Sequence, residues 1–168
     1  FEFNPAGNVR TVLKHFNSST DGAYPDGSLI VSGGKFYGMA SSGGSHDFGT
    51  LFEFHPNANV LVVLKHFESS PDGAYPNGSP IAWGGKLYGM TNQGGNTGAG
   101  TLFEYNPANN VLTVLKHFSG SDGANPYGDL VESGGKFYGM TTFGGNAGYG
   151  VLFEFNPAGN VYTVLKHF

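Results

Sequence analysis

The sequence predicts an all-β protein, a β-propeller-like tandem array of four-stranded antiparallel blades, with three full repeats and an extra N-terminal hairpin. Three observations predict it. The opening "FEFNPAGNVRTVLKHF" returns as "FEFHPNANVLVVLKHF" from Phe52, "FEYNPANNVLTVLKHF" from Phe103 and "FEFNPAGNVYTVLKHF" from Phe153, at offsets of 51, 51 and 50 residues. Self-similarity at a fixed period of this size marks a repeat architecture. Each period also divides into short runs rich in Val, Leu, Phe and Tyr, parted by turn residues, and no helical period survives. Finally, the runs are apolar on both faces: Phe52 and Phe54 share one side of a strand and Leu51 the other. A sheet wet on one side would alternate more cleanly, whereas sheets sandwiched between neighbours read this way. Four-stranded sheets packed face to face at a period near 50 are the arithmetic of a propeller, and kelch repeats have that period. A β-solenoid fits less well, because its coils are usually shorter.

The third repeat shows the elements in order. "SGSDGANPYGD" is a loop built from the residues that supply turn dihedrals. "LVES" is a short strand a, and Gly134-Gly135 makes a tight turn into strand b, "KFYGMT". The loop "FGGNAGYG" leads to strand c, "VLFEFNP". Asn156 and Pro157 initiate the next turn, with Gly159 as the residue suited to positive φ. "VYTVLKHF" is strand d, the last and longest.

Composition supports folding and excludes several functions. A chain of 168 residues buries roughly two-thirds of its unfolded surface. The 29 glycines would suggest disorder by themselves, but 15 Phe and 9 Tyr argue for a packed core. The net charge is −4 and the 8 basic residues are spread along the repeats, so nucleic acid and anionic membranes are not expected partners. No apolar run is long enough to insert into a bilayer as a helix. Cysteine is absent, which removes disulfide and thiol chemistry.

The stretch "DGANPYGDLVESGGKFYGMTTFGGNAGYGVLFEFNP" resembles the bacterial GloVer repeat, a kelch-like tandem unit. That unit combines an Asp-Gly-Ala-x-Pro turn, a Gly-Lys/Asn-x-Tyr-Gly-Met/Thr strand, a Gly-Gly loop and a Gly-Thr-x-Phe strand. The resemblance covers all three full repeats. It implies a propeller-forming module of secreted or surface-anchored bacterial proteins, and it carries no catalytic residues to transfer.

The repeat boundaries read as 1–16 for a half repeat of strands c and d, then 17–67, 68–118 and 119–168, all in one repeat domain. Three full sheets are too few for a closed ring, which typically needs four or more blades. Uncovered sheet faces and edges then attract further copies or adjacent repeats. Three readings remain open: part of a larger propeller, a self-assembling unit, or an excerpt of a longer array. Phe1 looks like a cut inside a repetitive chain or a processed end.

Candidate chemistry is sparse. His15, His66, His117 and His167 recur at one phase, but separate blades would hold them apart, so packing or hydrogen bonding fits better than a metal site. His46 and His55 occur singly and read as surface variation. Asp21, Asp72 and Asp122 each open an Asp-Gly-Ala turn; calcium loops stack several carboxylates, so these are expected to cap turns. Glu2, Glu53, Glu104 and Glu154 are expected to pair with Lys14, Lys65, Lys116 and Lys166 across the c–d hairpin. No nucleophile elbow, P-loop or zinc motif occurs. Neither a cofactor nor a metal is expected. The variable loops, Ser45, His46, Asp47 and Phe48, then Asn96 and Thr97, then Asn146 and Tyr149, flank fixed strands, where recognition usually resides. Tyr24, Tyr75, Asn125 and Tyr127 form the candidate ligand set, either as glycan-stacking positions or as packing between blades. The leading expectation is a non-catalytic, extracellular or cell-surface structural or adhesive module that self-associates. The alternative is a lectin-like propeller with one shallow glycan site per repeat.

Overall fold

Paired glycines set the first turn of every blade. Gly33-Gly34, Gly84-Gly85 and Gly134-Gly135 all take positive φ, between 58° and 79°, which a two-residue hairpin turn of the I′ kind demands at both central positions. The computed structural model describes residues 1–168, and it is all strand and turn. The first sheet holds β3 (Ile30–Ser32), β4 (Lys35–Ala40), β5 (Thr50–His55) and β6 (Val60–His66) in that order. The second repeats it with β7 (Ile81–Trp83), β8 (Lys86–Thr91), β9 (Thr101–Asn106) and β10 (Val111–His117). The third holds β12 (Val131–Ser133), β13 (Lys136–Phe143), β14 (Val151–Asn156) and β15 (Val161–His167), all pairs being antiparallel. A short β11 (Ala124–Pro126) adds a fifth strand to it, because two bridges, Ala124↔Phe143 and Pro126↔Thr141, form there. The first two repeats keep only one such bridge each, Ala23↔Ser42 and Ala74↔Gln93.

The hairpin ahead of these sheets pairs β1 (Glu2–Asn4) with β2 (Val9–Thr11) and nothing else. Its second strand is shorter than expected. In the first sheet strand d runs on to Lys65 and His66, which pair with Leu51 and Thr50. The c–d turns also differ in one detail from expectation: Asn8, Asn59, Asn110 and Asn160 take the positive φ, not Gly159. An asparagine tolerates the left-handed region, and the preceding Asn4, Asn106 and Asn156 side chains fix the turn by accepting the N–H groups of Ala6, Ala108 and Ala158.

Sheets stack through two dry layers. Between the first and second lie Tyr37, Met39, Leu51 and Phe67 from one side and Leu87, Phe103 and Tyr105 from the other. Between the second and third, Tyr88, Met90, Leu102 and Phe118 meet Leu130, Phe137, Phe153 and Phe155. Each blade therefore has a leading face, turned to the preceding repeat, and a trailing face, turned to the next. Gly89 makes this approach possible: the terminal methyl of Met39 lies 3.4 Å from where its Cβ would stand, while Phe103 already crowds that point at 2.7 Å. A β-bulge in strand d leaves Leu64, Leu115 and Leu165 outside the ladder, and the first two pack into the layers. At the inner ends of the sheets β3 lies against β7, and Gly78 passes so close to Gly128 that a Cβ there would sit 2.1 Å from the Gly128 oxygen.

Phe118 is fully buried between sheets, whereas its counterpart Phe168 is 49% exposed on the last trailing face. Phe118→Ala is therefore expected to cost about 3–5 kcal/mol in urea denaturation. Phe168→Ala is expected to cost about 1 kcal/mol or less in the same experiment.

Candidate functional site

The trailing face of the third sheet is the surface at which the repeats stop covering one another. Met39 and Met90 are 2% and 5% exposed, but Met140, at the same place one repeat later, is 57% exposed. Phe67 and Phe118 are buried, and Phe168 is half exposed; Leu165 and Tyr149 are open as well. At the other end the leading face of the first sheet shows Leu29, where Leu130 is 3% exposed in the third repeat. Over this face lies a groove of about 300 Å³, lined by Phe1, Leu13, Phe16, Leu29, Phe36 and Phe54, with Gly38 on its floor.

Three recurring contacts join each repeat to the next. A phenylalanine ending strand d meets a phenylalanine of the following strand c: Phe16 on Phe52, Phe67 on Phe103 and Phe118 on Phe153, with ring centroids 5.3, 5.4 and 5.7 Å apart. Near the inner ends, the Ser28 N–H donates to Ser79 Oγ at 2.7 Å, and the Ser79 N–H donates to Asp129 Oδ1 at 2.5 Å. In the outer loops, the Tyr75 N–H donates to the Phe48 carbonyl and the Asn125 N–H to the Ala99 carbonyl. The left-handed backbone at Tyr24, Tyr75 and Asn125, with φ from 52° to 56°, aims these N–H groups at the preceding repeat.

This geometry disposes of the candidate ligand positions unevenly. Tyr75 packs edge-on against Phe48 at 5.9 Å, and Asn125 bonds the Asn92 carbonyl through its amide, so both lie between blades. Tyr24 and Tyr127 are 68% and 65% exposed. Of the variable loops, Asp47 folds back to accept the Gly43 N–H, His46 bonds Ser45 Oγ, and the Thr97 hydroxyl donates to the Phe118 carbonyl. Ser45, Asn96 and Asn146 each donate a backbone N–H to Nδ1 of His66, His117 and His167. Those histidines therefore carry their proton on Nε2 in the bonded form. No group of three metal-capable side chains converges anywhere in the chain.

The expected cross-hairpin ion pairs are not formed. Glu53 stands opposite Val62, and the bulge moves Lys65 opposite Leu51, from which its amine reaches Asp72 at 2.6 Å. Lys14 and Lys116 likewise pair with Asp21 and Asp122. The glutamates instead take a lysine from strand b: Lys35–Glu53 at 2.9 Å, Lys86–Glu104 at 2.6 Å and Lys136–Glu154 at 2.8 Å. Tyr88 and Tyr138 donate their hydroxyls to the same carboxylates, and His55 joins Glu53 at 2.7 Å. Strand alternation carried this signal: Lys-x-Tyr puts both side chains on one face, directly across from the strand c glutamate. Asp21 and Asp122 also accept the N–H groups of Asn17 and Ser119, so these two aspartates tie a turn and hold a lysine at once, whereas Asp72 holds its lysine without capping the turn.

These contacts shift the carboxylates. Burial pushes Asp122 up, but the Lys116 amine and the Ser119 N–H outweigh it and hold the carboxyl below its ordinary value. Hydrogen bonds from Lys136 and Tyr138 do the same for Glu154. Burial pushes Tyr88 and Tyr162 well up.

A family model for the Gloeobacter/Verrucomicrobia repeat matches residues 1–168. No curated protein matches the chain in sequence. Among solved structures, TolB from Acinetobacter baumannii is similar over 98% of this chain and 36% of its own, with 12% identity and a TM-score of 0.60. The extracellular domain of a hybrid two-component system from B. thetaiotaomicron is similar over 83% of this chain and 16% of its own, with 15% identity and a TM-score of 0.57. A nidogen/laminin complex is similar over 80% of this chain and 43% of its own, with 16% identity and a TM-score of 0.51. The chain thus spans less than half of each, and the likeness is one of fold: a β-propeller-like array.

Because Glu154 and Asp122 hold their protons more weakly folded than unfolded, their stabilisation is complete above the ordinary carboxylate values of 4.5 and 3.8 and is lost as pH falls through the folded values. Thermal unfolding midpoints are expected to be level from neutrality down to that range and to fall below it. The acid slope should be shallower in Glu154→Gln and in Asp122→Asn.

Proposed function

The chain belongs to the Gloeobacter/Verrucomicrobia repeat family, and from that premise we propose that it is a non-catalytic, extracellular structural or adhesive module that associates through its repeat faces. The observation that carries this reading is the last trailing face. Met140 is 57% exposed where Met39 and Met90 are 2% and 5% exposed, so this face is shaped to take another repeat, either an adjacent one or one from another copy. Exposed apolar patches of this kind mark interaction sites. Repetition then multiplies weak contacts into avidity, which suits adhesion or scaffolding better than turnover. Secretion accords with the extracellular location of one fold neighbour.

A second reading retains one observation in its favour. Tyr127 is 65% exposed in the loop before β12, with Asp129 two residues on, an arrangement able to stack and hydrogen-bond a sugar ring. The inter-blade packing of Tyr75 removes the equivalence of one site per repeat, so any glycan site would be local to one blade.

Light scattering over a dilution series tests the leading reading. Species larger than 17.7 kDa that dissociate on dilution are expected. Met140→Asp, which charges the open face without touching a buried layer, should weaken association by about tenfold or more. A monomer at every concentration would overturn the self-association. Glycan-array binding lost on Tyr127→Ala would instead establish the carbohydrate reading.

A further inference from the structure

The two joints between complete blades share a framework. Phe67 on Phe103 and Phe118 on Phe153 lie at 5.4 and 5.7 Å, and the N–H groups of Tyr75 and Asn125 reach carbonyls of the preceding repeat at 2.9 and 2.8 Å. On these contacts alone, a blade would seat equally well on either predecessor. Stacking in one order then needs contacts that differ from joint to joint.

Such contacts lie where the loop between strands b and c of one repeat meets the Asp-Gly-Ala turn of the next. In the first joint the pair is aromatic. Phe48 packs at the edge of the dry layer and takes the Tyr75 ring edge-on at 5.9 Å. In the second joint both rings are gone. Ala99 stands in place of Phe48, Asn125 in place of Tyr75, and Asn92 where the first repeat has Ser41. Two amides now cross the joint in opposite directions. Asn125 Nδ2 donates to the Asn92 carbonyl at 3.0 Å, and Asn92 Nδ2 donates to the Pro126 carbonyl at 3.2 Å. The inner ends differ in sequence without such an effect, since Ser79 Oγ and Asp129 Oδ1 each accept one N–H from the repeat before.

We infer that these loop positions decide which repeat can follow which. A blade with the Phe48 loop receives a repeat that carries Asp-Gly-Ala-Tyr. A blade with Asn92 and Ala99 receives one that carries Asp-Gly-Ala-Asn. Crossed pairings lose the contact on both sides. Asparagine opposite Phe48 leaves the ring without its edge-on neighbour. Tyrosine opposite Ala99 meets no ring and takes away the amide that the Asn92 carbonyl accepts. The partner of each joint is a repeat of matching type. The key operates within one chain, so a chain that stays monomeric in light scattering would leave it standing.

Mutant cycles in the full chain, read by urea denaturation, test it. At the first joint Phe48→Ala and Tyr75→Asn are made singly and together. Tyr75 and Asn125 hold left-handed backbone, at φ 56° and 52°, which asparagine tolerates better than tyrosine. That preference enters both arms of a cycle and cancels from the coupling. A coupling of about threefold to tenfold in the folding equilibrium constant is expected for the aromatic pair. At the second joint Asn125→Tyr alone should lower the constant about fivefold, although it adds apolar surface. Adding Ala99→Phe and Asn92→Ser should recover about threefold of that loss. Additive effects at both joints would overturn the inference. So would stabilisation by Asn125→Tyr alone, the result expected if any large ring served at this place.

Discussion

Everything else in this array depends on one contact, the seating of a methionine and a phenylalanine from one blade on the glycine and phenylalanine of the next. Met39 over Gly89 and Phe67 against Phe103 bring two sheets close enough to exclude water. Neither partner works alone. A side chain at Gly89 would collide with Phe103, and without Gly89 the methionine would have no floor to rest on. The two dry layers hold nearly all the fully buried aromatic rings of the chain, so each sheet owes its stability to its neighbours. A single blade has two apolar faces and no interior of its own, which is the condition of any stacked repeat.

Polar contacts divide a different task among themselves. The lysine–glutamate pairs join strands b and c within a blade, with lysines that are more than a third exposed, and such pairs contribute little net stability. Their effect is on register: a one-residue slip would turn every lysine and tyrosine away from its glutamate. The aspartate–lysine pairs link strand d to the loop that starts the next repeat, so they govern how one blade hands the chain to its successor. Packing holds the blades together, and charge fixes which residue meets which.

The blades themselves were legible because their cues are local. Fixed spacing, paired glycines and two-sided apolar strands each have one physical reading, and strands, turns and layers followed. What escaped was decided by contacts distant in sequence. The bulge that carries Lys65 away from Glu53 leaves no mark in "VLVVLKH", since an unpaired Leu64 looks like any strand residue. Asn160 outcompeted Gly159 for the left-handed position, although glycine is the more permissive, because the turn is counted from Asn156 and not from composition. Tyr24 and Tyr75 are alike as letters, yet one is open and the other packed on Phe48, a difference that arises only from having a preceding blade. Exposure in a repeat protein is a property of position in the row.

The serine ladder has a consequence for symmetry. Ser28 donates to Ser79 and Ser79 to Asp129, so hydrogen bonds at the inner ends run one way only, from earlier repeat to later. The bonds through Phe48 and Ala99 run the opposite way, and they too are directional. Each trailing face thus carries donors at its inner end and acceptors in its outer loop, and each leading face the reverse. Two identical faces meeting about a two-fold axis would not bring the same residues together. Any extension that keeps the ladder intact must be head to tail, a heterologous contact, and heterologous contacts give either a ring or an open filament. Which of the two arises depends on the rotation from one blade to the next.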